Sequence, residues 1–186
     1  MTSTTLAYRL GAADIECHYP VIIGEDQVIG AIFRWHRDWL VQASTGEHNL
    51  GRPPKGTPGS EMAAAYLASE YAAGRITATP LAEMPVKELP AAGDVPLLHP
   101  RLPDTPRNRD GAKKALAGLA THRWTPLGGF PGADNPWSLR CDLCEWAGPR
   151  YWSHLRGRNN QPPTAHRHDG CIGEDKVREL IAAYQK

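Results

Sequence analysis

Two short stretches decide how the second half of this chain is read: Leu139-Arg140-Cys141-Asp142-Leu143-Cys144 and His166-Arg167-His168-Asp169-Gly170-Cys171. The first holds a C-x2-C pair, the spacing at which two thiolates bind one tetrahedral ion from a tight knuckle. Two positions of the tetrahedron then remain, and the second stretch stands where the other ligand pair is needed. The expected set is Cys141, Cys144, His168 and Cys171. Gly170 permits the turn that aims the last thiolate inward. His154 and His166 are the alternates. Cys144-x9-His154-x13-His168 would be a stretched Cys2His2 finger, whose second gap far exceeds the usual spacing of about three to five. His166 and His168 on one ion would need an unusual local bend.

Zinc suits this donor set. Four protein ligands close its shell and leave no position for water, so the expected ion is structural. No H-E-x-x-H and no H-x-E…P-C-x-x-C occurs, which leaves peptidase and deaminase readings without a general base. A redox C-x-x-C needs a strand-to-helix context with the pair at a helix N-terminus, and this pair lacks it. A disulfide is disfavoured in a reducing cytoplasm. A proline-rich, loop-rich module of about 60 residues has a thin core and needs a staple of this kind.

Working outward, the chain has 186 residues, 41% hydrophobic and 22% charged, with formal net charge +1. That length allows one domain or two small ones. No run of about 18 apolar residues occurs, so no membrane span is expected. Met1-Thr2-Ser3-Thr4-Thr5 lacks a basic start and an apolar core, so a secretory signal is not expected and the predicted compartment is the cytoplasm. Four cysteines are too few for a disulfide scaffold, and 17 prolines with 18 glycines imply much loop. The Ala/Arg/Gly/Pro bias resembles high-GC coding.

The predicted fold class is α+β. Residues 5–43 alternate like strands: Val21-Ile22-Ile23, a turn at Gly24–Gln27, a return over Val28–Phe33, and Trp39-Leu40-Val41 as a third strand. Thr57 is the expected N-cap of a helix with Pro58 at its first position and Gly74 past its end. Met62, Tyr66 and Ala73, with Leu67 alongside, are its expected buried stripe. This small antiparallel sheet with one helix makes residues 1–75 the first expected domain. Residues 76–109 hold seven prolines and read as a semi-extended connector or a covering arm. Residues 110–186 form the expected zinc module. Asp110 caps a short helix to about Thr121, with Leu116 and Leu119 at spacing three. The region 122–172 reads as irregular, and a final helix from about Glu174 carries Val177, Leu180, Ile181 and Tyr184 on one face.

The stretch Trp124–Trp137, then Leu139–Cys144, then Gly170-Cys171 resembles the zinc-ribbon or treble-clef modules of bacterial and phage proteins. Their pattern is roughly W-x-P, an aromatic with P-G, W-x-x-[RK]-C-x-x-C and G-C-x-x-C. The resemblance covers about residues 122–173, under a third of the chain. It departs at Ile172-Gly173-Glu174, where the last cysteine of G-C-x-x-C is missing, so His168 or another ligand must replace it. The resemblance implies a structural metal and a nucleic-acid- or protein-binding role.

Charge is partitioned along the chain. Residues 1–100 carry 7 Lys/Arg against 11 Asp/Glu, residues 101–168 carry 11 against 5, and residues 169–186 carry 3 against 4. A basic stretch with interleaved aromatics is the footprint of a polyanion partner. Arg140, Arg150, Arg156, Arg158 and Arg167 are the expected phosphate contacts, and Trp152 or Tyr151 the expected stacking group. The plain alternative is that the aromatics pack around the knuckle and the arginines are merely solvated. The favoured partner is nucleic acid, DNA first, with no small-molecule substrate and no catalytic residue assigned. The first competitor is a protein-interaction adaptor using the acidic N-terminal sheet and the apolar stripe of the last helix. The second is a His-Asn-His-like nuclease built on His154, Asn159, Asn160 and His166, without the usual Asp-His pair before a hairpin.

The N-terminal strands resemble small sheets that enter the major groove, with Arg34, Trp35, His36 and Arg37 at one strand end. The net negative charge there disfavours phosphate approach. Cys17 reads as a small buried hydrophobe. Asp14, Glu16, Glu25 and Asp26 form no recognisable carboxylate pair, and no phosphate loop, nucleophile elbow or kinase set is present.

Overall fold

The computed structural model describes residues 6–87, 95–158 and 161–185. It has two compact units, Met1–Lys87 and Glu88–Lys186. Both are mixed α and β. Asn159 and Asn160 lie outside the described residues.

The first unit is a meander. Strands β1 (Tyr8–Leu10), β2 (Tyr19–Ile23), β3 (Gln27–Trp35), β4 (Asp38–Ala43) and β5 (Gly46–Gly51) pair antiparallel in chain order. A two-residue strand β6 (Thr79–Pro80) joins β3 at Gln27 and Val28, beyond the reach of β4. A register shift in the β2–β3 ladder leaves Ile29 as an extra residue beside Gly30, and this bulge puts both Ile29 and Ile32 into one core. Gly30 is needed there. Its φ is +144°, and a Cβ would stand 2.6 Å from the Gln42 carbonyl oxygen and 3.1 Å from Leu67.

Helix α1 (Gly59–Ala72) covers that core. Pro58, not Thr57, takes the cap position, with extended backbone at ψ 131° and no side-chain cap. The buried stripe is Ala63, Ala64, Leu67 and Ala68, while Tyr66 packs at its margin and Ala73 is exposed. Small residues win this face because they let the helix approach closely. A Cβ at Gly59 would meet the Trp39 indole at 1.8 Å.

The second unit contains α2 (Pro106–Thr121), β7 (Trp124–Pro126), β8 (Pro136–Cys141), β9 (Ala147–Tyr151), the single turn α3 (Trp152–Leu155) and α4 (Glu174–Leu180). Helix α2 starts four residues before Asp110. Thr105 is its N-cap, accepting from the Asn108 N–H at 3.2 Å, and Pro106 sits at its first position. The stretch expected to be irregular contains the antiparallel sheet β7-β8-β9. Its strands escape a reading by alternation because they are short and carry Pro126, Pro136 and Pro149, tolerated at strand starts and edges. Ala112, Ala115 and Leu119 of α2 pack with Trp124, Trp137, Leu139, Cys141 and Trp152.

The proline-rich stretch contributes to both units. Ile76 and Ala78 pack in the first core, and Leu97, Leu98 and Leu102 pack on the second. Leu98 pairs with Phe130, and a Cβ at Gly129 would lie 2.4 Å from the Leu98 carbonyl. At the C-terminal end, Ile181 leaves the helix (φ −125°, ψ 106°) and a 3-10 turn follows over Ala182–Tyr184. Val177, Ile181 and Tyr184 are buried with Ala165, whereas Leu180 is 49% exposed. Three of the four residues expected on its apolar stripe are thus buried inside the unit, and Leu180 is not.

Candidate metal centre

The knuckle is the turn that joins β8 to β9. The Cys141 N–H donates to the Trp146 carbonyl at 2.8 Å, and the Glu145 N–H donates back to the Cys141 carbonyl at 2.9 Å. Glu145 closes the turn in the left-handed region, φ 62°. Thr125 on β7 donates to the Asp142 carboxylate at 2.7 Å and ties the turn to the neighbouring strand. The second half is another x2 turn. The Cys171 N–H donates to the His168 carbonyl at 3.3 Å, with Gly170 at φ 79° as the spacing required.

These two turns bring Cys141, Cys144, His168 and Cys171 together, with one ligand atom of each within 4.8 Å of all the others. Cys171 Sγ lies 3.9 Å from both Cys141 Sγ and Cys144 Sγ, and Cys144 Sγ lies 3.1 Å from His168 Nε2. Sulfurs that share one zinc at about 2.3 Å stand about 3.8 Å apart. None of the three cysteines is in a disulfide. His154 and His166, the alternates, are exposed and outside the cluster.

The surroundings prepare the donors. His168 Nδ1 donates to the Asp169 carbonyl at 2.8 Å, which leaves the Nε2 lone pair for an ion. The Trp146 ring stacks on the imidazole at 4.4 Å and 9°. Burial pushes the Cys141 thiol up, but the Arg167 guanidinium, the Leu143 N–H and His168 outweigh it and bring the group down to about 7. Burial, then the neighbouring Cys141, push Cys171 up to about 11. Thiolates this close repel one another unless a cation stands between them. The donor set therefore fits a metal ion, which can hold all three sulfurs ionised.

Arg167 is only 1% exposed, so it is not an outward phosphate contact. Its Nε donates to Cys141 Sγ at 3.1 Å, its Nη atoms donate to the carbonyls of His122 and Arg123, and its Cζ lies 4.1 Å over the Trp124 ring. With three of its five N–H donors engaged inside the unit, this buried guanidinium is turned away from any outside ligand. Trp152 is not a stacking platform either. It is 8% exposed and seated against Gly118, where a Cβ would fall 2.1 Å from its ring. The remaining expected contacts lie nearer the surface. Arg140 pairs with Glu145 at 3.5 Å, Arg158 pairs with Asp134 at 3.2 Å, and Arg156 is exposed. Arg150 is half-buried, its Cζ 5.0 Å from the Trp146 ring and 5.9 Å from Trp124.

A second group of donors, Asp14, Glu16 and His18, lies in the first unit. The Lys87 ammonium already meets it, 2.7 Å from Asp14 and in contact with Glu16. Cys17 beside them is buried, pushed up to about 12 by burial and then by Asp14 and Glu16.

The chain matches no protein-family model, no curated protein and no solved structure.

Among the described residues, no helix is long and apolar enough to cross a membrane. Sequence reasoning missed two contributors to the centre, Arg167 as a buried donor to Cys141 and Trp146 as the wall behind His168. The one available hint was position, since each lies within two residues of a predicted ligand.

Proposed function

We propose that this chain is a zinc-stapled nucleic-acid-binding protein, in which the zinc is structural and the second unit carries the binding face. The observation that carries the reading is the convergence of three thiols and one imidazole within 4.8 Å. Three sulfur donors and one nitrogen select zinc over hard cations, and four protein ligands leave no open position for catalysis. Cys141, Cys144, His168 and Cys171 would hold the ion, and its chemistry would be that of a cross-link between the β8–β9 hairpin and the segment before α4. Support for a polyanion partner comes from the excess of Lys/Arg over residues 101–168 and from Arg140, Arg156 and Arg158 at the surface. Lys113 and Lys114 on α2 are exposed as well.

Two measurements test this. Native mass spectrometry should give one zinc per chain, lost on Cys171→Ala and kept on His154→Ala. Binding of a short DNA duplex and of a single strand, followed by fluorescence anisotropy, should weaken steeply with salt and with Arg156→Gln plus Arg158→Gln. Absence of zinc refutes the staple. Binding that ignores both salt and the two arginines refutes the nucleic-acid face.

A further inference from the structure

We propose that the recess between β9, α3 and residues 164–166 is a phosphate-binding site. The recess has a volume of about 290 Å³ and is lined by Arg150, Tyr151, His154, Leu155, Thr164 and His166. It holds one guanidinium, two imidazoles and two hydroxyl groups, and no carboxylate lines it. The inference deepens the reading above by naming the chemical group this face takes. It rests on that reading only for the source of the phosphate.

Arg150 carries the argument. Its guanidinium carbon lies 5.0 Å from the Trp146 ring and 5.9 Å from the Trp124 ring. Among the described residues no carboxylate forms an ion pair with it, and its Nε is buried with no hydrogen-bond acceptor. Burial pulls its pKa below the usual guanidinium range; Asp169 opposes that, Arg167 adds to it, and Cys141 and Cys171 oppose it more weakly. A half-buried cation beside a second cation is costly unless an anion reaches it. Arg167 donates directly to Cys141, whereas Arg150 feels Asp169, Cys141 and Cys171 only through space and its Nε has no acceptor.

The surrounding donors favour phosphate over carboxylate. A carboxylate presents two oxygens in one plane and is satisfied by a single guanidinium fork. Here the Thr164 hydroxyl and the rings of His154 and His166 line the same recess as the guanidinium, on different chain segments. Such an array suits a tetrahedral group with several acceptor oxygens. His166 has only a 3.8 Å approach to Asp169, whose side chain is fully exposed. That leaves the imidazole available to turn toward a ligand. The volume lies at the small end of ligand sites, which fits a phosphoryl group with part of its attached sugar better than a larger molecule.

The test uses the full, zinc-loaded chain labelled with 15N. Its spectra are titrated with inorganic phosphate, and separately with a 12-nucleotide single strand. The expected result is saturable shifts at Arg150, Thr164 and His166 with phosphate, weakened about tenfold or more by Arg150→Gln. Thr164→Val and His166→Gln should each weaken binding less, and they serve as the readout if Arg150→Gln loses its fold or its zinc. Shifts with both probes support the site and its nucleic-acid source. Shifts with phosphate alone support the site, assign it to a free phosphate compound and overturn the nucleic-acid reading. Oligonucleotide binding that leaves these residues unmoved and ignores the substitutions overturns the phosphate site while sparing that reading. No shift with either probe overturns both.

Discussion

Replacing Arg167 by methionine should do more damage than replacing any other arginine of the second unit. In a zinc-loaded centre, three thiolates and a neutral imidazole around a divalent ion leave one net negative charge. Arg167 is the buried positive charge against it, with Nε 3.1 Å from Cys141 Sγ. Methionine would retain much of the packing on Trp124 but none of the donors. The His122 carbonyl would lose a 2.8 Å bond, while the Arg123 carbonyl would keep the Asp142 N–H at 3.2 Å. One orphaned buried carbonyl and one lost charge-assisted bond together amount to about 3–5 kcal/mol. Loss of such a partner behind a metal ligand also weakens metal binding by about 10- to 100-fold. Urea unfolding of the zinc-loaded chain, followed by near-ultraviolet circular dichroism, measures the first effect. Competition with a chromophoric zinc chelator measures the second. Arg167→Lys keeps the charge but cannot supply donors in one plane, and should fall between the two. If Arg167→Met unfolds within about 1 kcal/mol of the parent and holds zinc as tightly, the guanidinium is not the compensating charge and the reasoning fails.

Three further predictions follow from local geometry. Chelation should unfold the second unit while the first stays folded, so that a thermal melt by hydrogen exchange splits in two; a single unchanged transition would count against the staple. Gly118→Ala should lower stability by roughly 1–3 kcal/mol because its Cβ would enter the Trp152 ring, whereas Gly111→Ala in the same helix, with 3.6 Å to Phe130, should raise it by about 0.5–1 kcal/mol. Equal effects in a melting comparison would show that helix propensity alone governs both sites. Cys17, raised to about 12, should stay unreactive toward a thiol reagent at pH 8 until the first unit unfolds. Because its folded pKa lies above its ordinary value of 9.0, the stability this thiol contributes is complete below about pH 9 and falls as pH rises toward 12. Prompt labelling in the native state would refute the burial argument.

Local chemistry made several features legible in the residues. The Cys141-x2-Cys144 spacing and the Gly170 turn before Cys171 pointed to the cluster that the fold assembles, because ligand geometry is enforced over three or four residues. The strand runs around Val21–Ile23 and Val28–Phe33 were readable because one face of each is buried against a helix. The same cap rule met different outcomes at two Thr-Pro pairs. Thr105 caps α2 with its side chain, while Thr57 lies two residues before α1, where Gly59 must start the helix under Trp39.

What the residues by themselves determined is the set of groups held by short turns and runs: the ligand pairs and the apolar strand cores. Only the tertiary structure decided which charges face outward. Arg150, Arg158 and Arg167 are alike as letters, yet one lies beside two indoles, one pairs with Asp134 at the surface, and one is buried on a thiol. A guanidinium's role depends on the acceptors that distant segments bring to it, and spacing along the chain carries no record of those. The sheet β7-β8-β9 was hidden for a related reason. Its strands are too short to show a period, and they exist because cross-strand pairing and the knuckle hold them together.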